Sequence, residues 1–111
     1  DADWVILSAC NTAAGDGRGG EAISGLGRGF FYSGSRSLLV THWPVETVSA
    51  QNLVVGIFNE LGKTPGLLRA EALRKSMLSV MASDGGEGRF RFSYAHPMFW
   101  APYALIGDGG K

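Results

Sequence analysis

The stretch Trp4-Val5-Ile6-Leu7-Ser8-Ala9-Cys10-Asn11-Thr12-Ala13 decides how this chain is read. It opens on an unbroken apolar run and reaches a thiol. An apolar run of this length, closed by turn residues, suits a strand buried on both faces, as in a parallel sheet. A Gly-rich segment follows, Gly15-Asp16-Gly17-Arg18-Gly19-Gly20, and then a helical pattern. Strand, loop and helix in this order predict an α/β fold. In open α/β sheets ligands bind outside the carboxyl ends of the strands. Cys10, the only cysteine, stands at such an end.

Further along, Glu21 to Ser33 reads as a helix, because Ile23, Leu26, Phe30 and Phe31 share one face. Gly25, Gly27 and Gly29 interrupt it, each costing about 1 kcal/mol against Ala. Close approach of the helix to the sheet or to a substrate backbone is the expected reason for them. Gly34 suits the residue just past the helix end. Ser37 to His42 is a second buried strand, expected to be parallel to the first and beside it. Trp43-Pro44 ends it. A helix is predicted from Thr47 to Leu61, with Ala50, Leu53, Val54, Ile57, Phe58 and Leu61 as its apolar stripe and Gly62 as its stop. Thr64-Pro65 reads as the cap and first turn of another helix, running to Ala82 and burying Ala70, Leu73, Met77, Val80 and Met81. Ser83 to Gly88 is a loop, and Arg89-Phe90-Arg91-Phe92 alternates like a short exposed strand or hairpin arm. Tyr103 to Gly107 is the last strand, with Pro102 tolerated at its start.

The bulk numbers narrow the function classes. A chain of 111 residues makes one small domain, and 45% hydrophobic with 18% charged residues is a globular composition. Ten basic and ten acidic residues leave no net charge, which argues against nucleic acid as a partner. One cysteine cannot close an internal disulfide, so a reducing, cytoplasmic setting is expected. No apolar run reaches membrane-spanning length, so no membrane partner is expected. With no initiator Met and a strand this early, the chain reads as part of something longer.

Several blocks carry a family resemblance when taken together and in order. They are Ser8-Ala9-Cys10-Asn11-Thr12-Ala13; Gly20-Glu21 followed by Gly25-Leu26-Gly27-Arg28-Gly29-Phe30; Ser33-Gly34-Ser35-Arg36-Ser37; Trp43-Pro44-Val45; Ala70-Glu71-Ala72-Leu73-Arg74; and His96-Pro97 with Trp100-Ala101, closing on Leu105-Ile106-Gly107-Asp108. This set resembles the C-terminal half of a CHAT domain, a bacterial branch of the caspase-like (clan CD) cysteine peptidases related to separase. The resemblance covers nearly all of residues 1–111 and implies a partial domain. It implies a three-layer α/β/α sandwich, represented here by two parallel strands and a last antiparallel one. It also implies a protein or peptide substrate, no cofactor and no metal. The family's nucleophile falls on Cys10, and its general base is a His upstream of Asp1.

A cysteine nucleophile needs a base or cation to favour its thiolate and donors for the oxyanion. Cys10 before a Gly-rich loop suits that role; a small buried hydrophobe is the alternative reading. By resemblance, Glu46 follows Trp43-Pro44-Val45 where relatives have acids, and in separase an acid in this stretch receives a basic P1 side chain. Where the family often has two acids, this chain has Glu46-Thr47, which weakens the match. Asp16 and Glu21 are the other candidates for such a pocket; Trp43 is expected to wall the cleft or pack in the core, and His42 to line the cleft or cap its strand. Glu46 also fits a plain helix-start carboxylate held by the dipole. His96, before Pro97, reads as structural. The Gly15–Gly20 segment matches G-x-G-x-x-G, but it starts too late after its strand and lacks the later acid of a dinucleotide site. A non-catalytic interaction or scaffolding module is the alternative function. The apolar strand at 4–9 would offer a bare edge, expected to be covered by the upstream remainder of the domain or by a symmetry mate.

Overall fold

The computed structural model describes residues 2–7 and 25–110. Cys10, Asp16 and Glu21 therefore lie outside the described residues. The chain divides into two compact units, one of residues 1–44 with 102–109 and one of residues 45–101 with 110–111.

The first unit is a mixed three-stranded sheet with one helix. Its strands are β1 (Trp4–Ile6), β2 (Ser37–Thr41) and β5 (Tyr103–Gly107), in the order β1-β2-β5. β1 runs parallel to β2, with Val5 opposite Leu38, and β5 runs antiparallel to it, with Leu39 opposite Leu105. The ladder extends past β1 through the Leu7 amide, which donates to Leu39 O at 2.8 Å. Every residue of β2 is buried, on both faces. Its apolar pair Leu38 and Val40 packs with Val5, Leu7, Ala104 and Ile106 of the flanking strands and with Phe30 and Phe31 of α1 (Gly25–Tyr32). Two-faced burial thus belongs to β2 rather than to the first strand, whose residues are only half-buried. Among the described residues β1 pairs on one side only, and an edge strand leaves part of its surface uncovered.

α1 ends as its sequence predicts. Gly34 adopts a left-handed φ of 95°. The Ser35 amide donates to Phe30 O and the Gly34 amide to Phe31 O, both at 3.0 Å. This pair of bonds is the Schellman motif, which satisfies carbonyls at the helix end. The glycines inside the helix have a different standing. A Cβ at Gly25 or Gly29 would meet nothing within 4 Å among the described residues, so close approach does not account for these two.

The second unit pairs α2 (Thr47–Lys63) with α3 (Arg69–Met81). α2 runs through Gly62, correcting the stop expected there. A single glycine costs about 1 kcal/mol, which a helix packed along its length tolerates. Pro65 ends it instead. A residue before proline is pushed out of the helical region, and Thr64 sits extended at φ −125° and ψ 94°. Thr64 is therefore the C-cap of α2, not the N-cap of the next helix. Pro65 and Gly66 make the turn: the Leu67 amide donates to Thr64 O at 3.1 Å, and Gly66 takes φ 81°. Proline then glycine at the two central positions is the signature of a type II turn.

The buried face of α3 keeps Leu73 and Val80 of the predicted one and differs at its other positions. It comprises Arg69, Ala72, Leu73, Ser76 and Val80, while Ala70 is exposed and Met77 and Met81 are half-buried. On α2, Ser49, Leu53 and Ile57 are buried, whereas Phe58 is 53% exposed. The helices meet closely at one point. A Cβ on Gly56 would lie 2.3 Å from Ser76 Oγ, and that hydroxyl donates to Leu53 O at 2.6 Å.

Beyond α3, the segment 83–93 forms a minimal hairpin. β3 (Asp84–Gly85) pairs antiparallel with β4 (Phe92–Ser93), and Gly88–Phe90 is a 3₁₀ turn between them. The predicted alternating arm is thus split into a turn and a two-residue strand, and Phe90 at its tip is 85% exposed. Among the described residues no helix is long and apolar enough to cross a membrane.

Candidate functional site

Of the residues singled out from the sequence, His42, Trp43 and Glu46 fall in the described part. His42 and Trp43 follow the carboxyl end of β2. The His42 amide donates to Pro102 O at 2.9 Å, which extends the β2–β5 ladder by one bond and fixes the backbone there. Both side chains are exposed, Trp43 at 39%. An aromatic surface and an imidazole thus face solvent just past the central strand of the first unit.

Glu46 belongs to the second unit and caps α2. Its backbone is extended, at φ −71° and ψ 138°, as an N-cap requires. Oε1 accepts from the Val48 amide at 3.0 Å and Oε2 from the Ser49 amide at 2.7 Å. The Ser49 hydroxyl donates to the Glu46 carbonyl at 3.0 Å. These bonds satisfy two of the free amides at the helix start, and a carboxylate there is further favoured by the helix dipole. The helix-start reading of Glu46 is therefore correct as geometry.

A fourth contact had no counterpart in the sequence reading. The Tyr94 hydroxyl donates to Glu46 Oε2 at 3.2 Å. Tyr94 is 1% exposed, and its ring meets Phe92 and Phe99 edge-on, at centroid distances of 5.2 and 4.9 Å. Phe92 and Phe99 stack on each other at 5.6 Å. The sequence signal was available in the aromatic run through Phe90, Phe92 and Tyr94, but its periodicity points to a strand and not to a partner across 48 residues.

Electrostatics follow from this geometry. Partial burial works to raise the Glu46 pKa, but hydrogen bonds from the amides of Ser49 and Val48 and from the Tyr94 hydroxyl outweigh it and hold the carboxyl below its ordinary range. Burial, and then the Glu46 charge and the bond to it, push the Tyr94 phenol upward. Glu46 is thus an anion and Tyr94 a neutral donor across the neutral pH range.

His96 is structural, as its place before Pro97 suggests. Its Nδ1 accepts from the Met98 amide at 3.2 Å and caps the 3₁₀ turn Pro97–Phe99. Among the described residues no group of three His, Cys, Asp or Glu side chains could hold a metal ion. A separate apolar groove of about 150 Å³ lies along α3, lined by Arg74, Met77, Leu78, Met81 and Trp100.

Comparison with known proteins gives these features a context. Residues 1–108 match the CHAT domain family. The chain is 28% identical to Tetratricopeptide repeat protein 28 of Mus musculus over 107 residues, covering 96% of this chain and 4% of that protein. It is 28% identical to Tetratricopeptide repeat protein 28 of Homo sapiens over 91 residues, covering 82% of this chain and 3% of that protein. Both relatives are mammalian, whereas the resemblance implied a bacterial branch. The chain thus spans only a small fraction of the curated relatives it matches. No solved structure matches it. With a family match over nearly its whole length, on a mixed sheet whose last strand is antiparallel, this chain belongs to the CHAT domain family.

Proposed function

We propose that this chain is the C-terminal half of a caspase-like cysteine endopeptidase domain, a three-layer α/β/α sandwich with Cys10 as nucleophile. The observation that carries this reading is the family match over residues 1–108, which includes the Cys10 motif after β1. The parallel β1–β2 pair and the antiparallel β5 agree with the strand arrangement that such a half-domain would have. The general base is a His upstream of Asp1. It takes the proton of the Cys10 thiol as sulfur attacks the scissile carbonyl carbon. Backbone amides at Cys10 and in the Gly-rich segment hold the oxyanion. The C–N bond then breaks, the base returns its proton to the leaving amine, and water hydrolyses the thioester.

The substrate is a protein or peptide, with a basic P1 side chain received by Glu46. An anionic carboxylate with its pKa held low supports this part, and exposed Trp43 and His42 suit a cleft wall. Asp16 and Glu21 are the further acids of the same reading. The setting is cytoplasmic, and β1 is covered by the upstream remainder of the domain or by a second copy.

A non-catalytic scaffolding role is the second reading. It is favoured by the relatives' name, since tetratricopeptide repeats are stacked helical interaction modules. Fluorogenic peptides with Lys or Arg at P1, given to the full-length protein that carries this domain, separate the two. Turnover is expected, and Cys10→Ala should lower it by at least about 1,000-fold. Equal turnover by the variant would reject Cys10 as the nucleophile; no cleavage after Lys or Arg would reject the basic P1, and no cleavage of a peptide library varied at P1 would reject the peptidase.

A further inference from the structure

Glu46 uses most of its acceptor capacity within its own unit. A carboxylate offers about four lone-pair positions, two on each oxygen. On Oε2 both are taken, by the Ser49 amide at 2.7 Å and the Tyr94 hydroxyl at 3.2 Å. On Oε1 the Val48 amide at 3.0 Å takes one, and the other has no partner among the described residues. Tyr94 cannot easily turn away. Its ring is 1% exposed, wedged edge-on against Phe92 and Phe99. A Cβ on Gly85 would come within 2.4 Å of its ring carbon and hydroxyl, so the glycine is what makes room for it.

We infer that Tyr94 is a positioning residue that sets specificity: by occupying Oε2 it leaves Glu46 one acceptor, on Oε1, for an incoming basic side chain. This rests on the proposed reading of Glu46 as the group that receives P1. Its consequence is a loss of discrimination between the two basic residues. Arginine normally outcompetes lysine at a carboxylate by a fork of two parallel N–H bonds, one to each oxygen. With Oε2 saturated the fork cannot close, and guanidinium and ammonium are each held by a single bond. Removing the Tyr94 hydroxyl frees a position on Oε2 and restores the fork, while the phenyl ring still fills its place beside Phe92 and Phe99.

The test measures kcat/KM of the full-length protein on paired peptides differing only in Arg or Lys at P1. In the wild type the two values should agree within about fivefold. Tyr94→Phe should shift the ratio toward Arg by about tenfold, carried by KM, because a hydrogen bond to a charged group is gained in binding. A wild-type preference for Arg of about 100-fold or more overturns the inference, and this reading needs no variant to fold. So does a Tyr94→Phe ratio equal to the wild-type one while cleavage after basic residues persists; that result leaves the role of Glu46 standing. Absence of cleavage after either basic residue, with other peptides cut, removes the role of Glu46 and the inference with it.

Discussion

Leu38 in β2 and Ser76 in α3 are both almost fully buried, at 0% and 1% exposure, and they stabilise their units by different physics. Leu38 sits in an apolar cluster that β1, β5 and α1 supply from three sides. Its contribution is non-directional, proportional to the area taken from water. Ser76 stands where two helices come too close for larger side chains, and it closes the gap with a hydrogen bond to Leu53 O. The same unit depends on a second directional contact, the Glu46 carboxylate at the start of α2. The sheet unit should therefore tolerate apolar exchanges of equal volume, while the helical unit should be sensitive to added atoms and to charge.

Four substitutions test this contrast, with stability read by urea or thermal unfolding. The largest effect is expected for Leu38→Ala, which leaves a cavity under the central strand and should cost about 3–4 kcal/mol. Leu38→Met should cost less than about 1.5 kcal/mol, because volume is kept. Gly56→Val comes next. Its Cβ alone would fall 2.3 Å from Ser76 Oγ, so the helices must part or the 2.6 Å bond to Leu53 O must break. A loss of about 2–3 kcal/mol is expected despite the better helix propensity of valine. A neutral or stabilising Gly56→Val would show that the helices are not held at this distance, and the contrast would collapse.

Glu46→Ala is the smallest and the most informative about charge. Losing the cap should cost about 1 kcal/mol at neutral pH. Because the folded-state pKa of Glu46 lies below its ordinary value near 4.5, its contribution is fully present above that pH. The contribution is lost as pH falls through the lower, folded-state pKa. The gap between Glu46→Ala and wild type should thus be constant at neutral pH and close in acid. A gap that widens on acidification would mean that the carboxyl is bonded as the neutral acid, opposite to the geometry.

How much of this was legible in advance differs between the two units for a physical reason. The strands β2 and β5, the Schellman end of α1 at Gly34 and the parallel placement of β1 could all be read from apolar runs and one glycine. Those signals are local, and a right-handed crossover leaves few alternatives for the sheet. In the helical unit the same rules misplaced a boundary. Thr64-Pro65 matches a helix start as well as a helix end, and only Gly66 at φ 81° shows which one the chain adopts. The α3 face was shifted for a related reason. Met77 and Met81 are more apolar than Ser76, so periodicity favours them; a serine is buried there because it faces a glycine. At the candidate site, Glu46 as a helix cap could be recognised from its position before Thr47. Tyr94 as its partner could not, since nothing local ties residues so far apart in the chain.

The amino-acid order by itself determined the α/β class, the central strand, and the ordered blocks that carry the family resemblance, because each is written in a short run of neighbouring residues. Tertiary structure alone decided that Gly56 and Ser76 define the helix contact, that Pro65 and Gly66 make a turn and not a cap, and that a phenol occupies one oxygen of Glu46. Those outcomes depend on which surfaces reach one another once the apolar faces have been buried, and no local pattern encodes that distance.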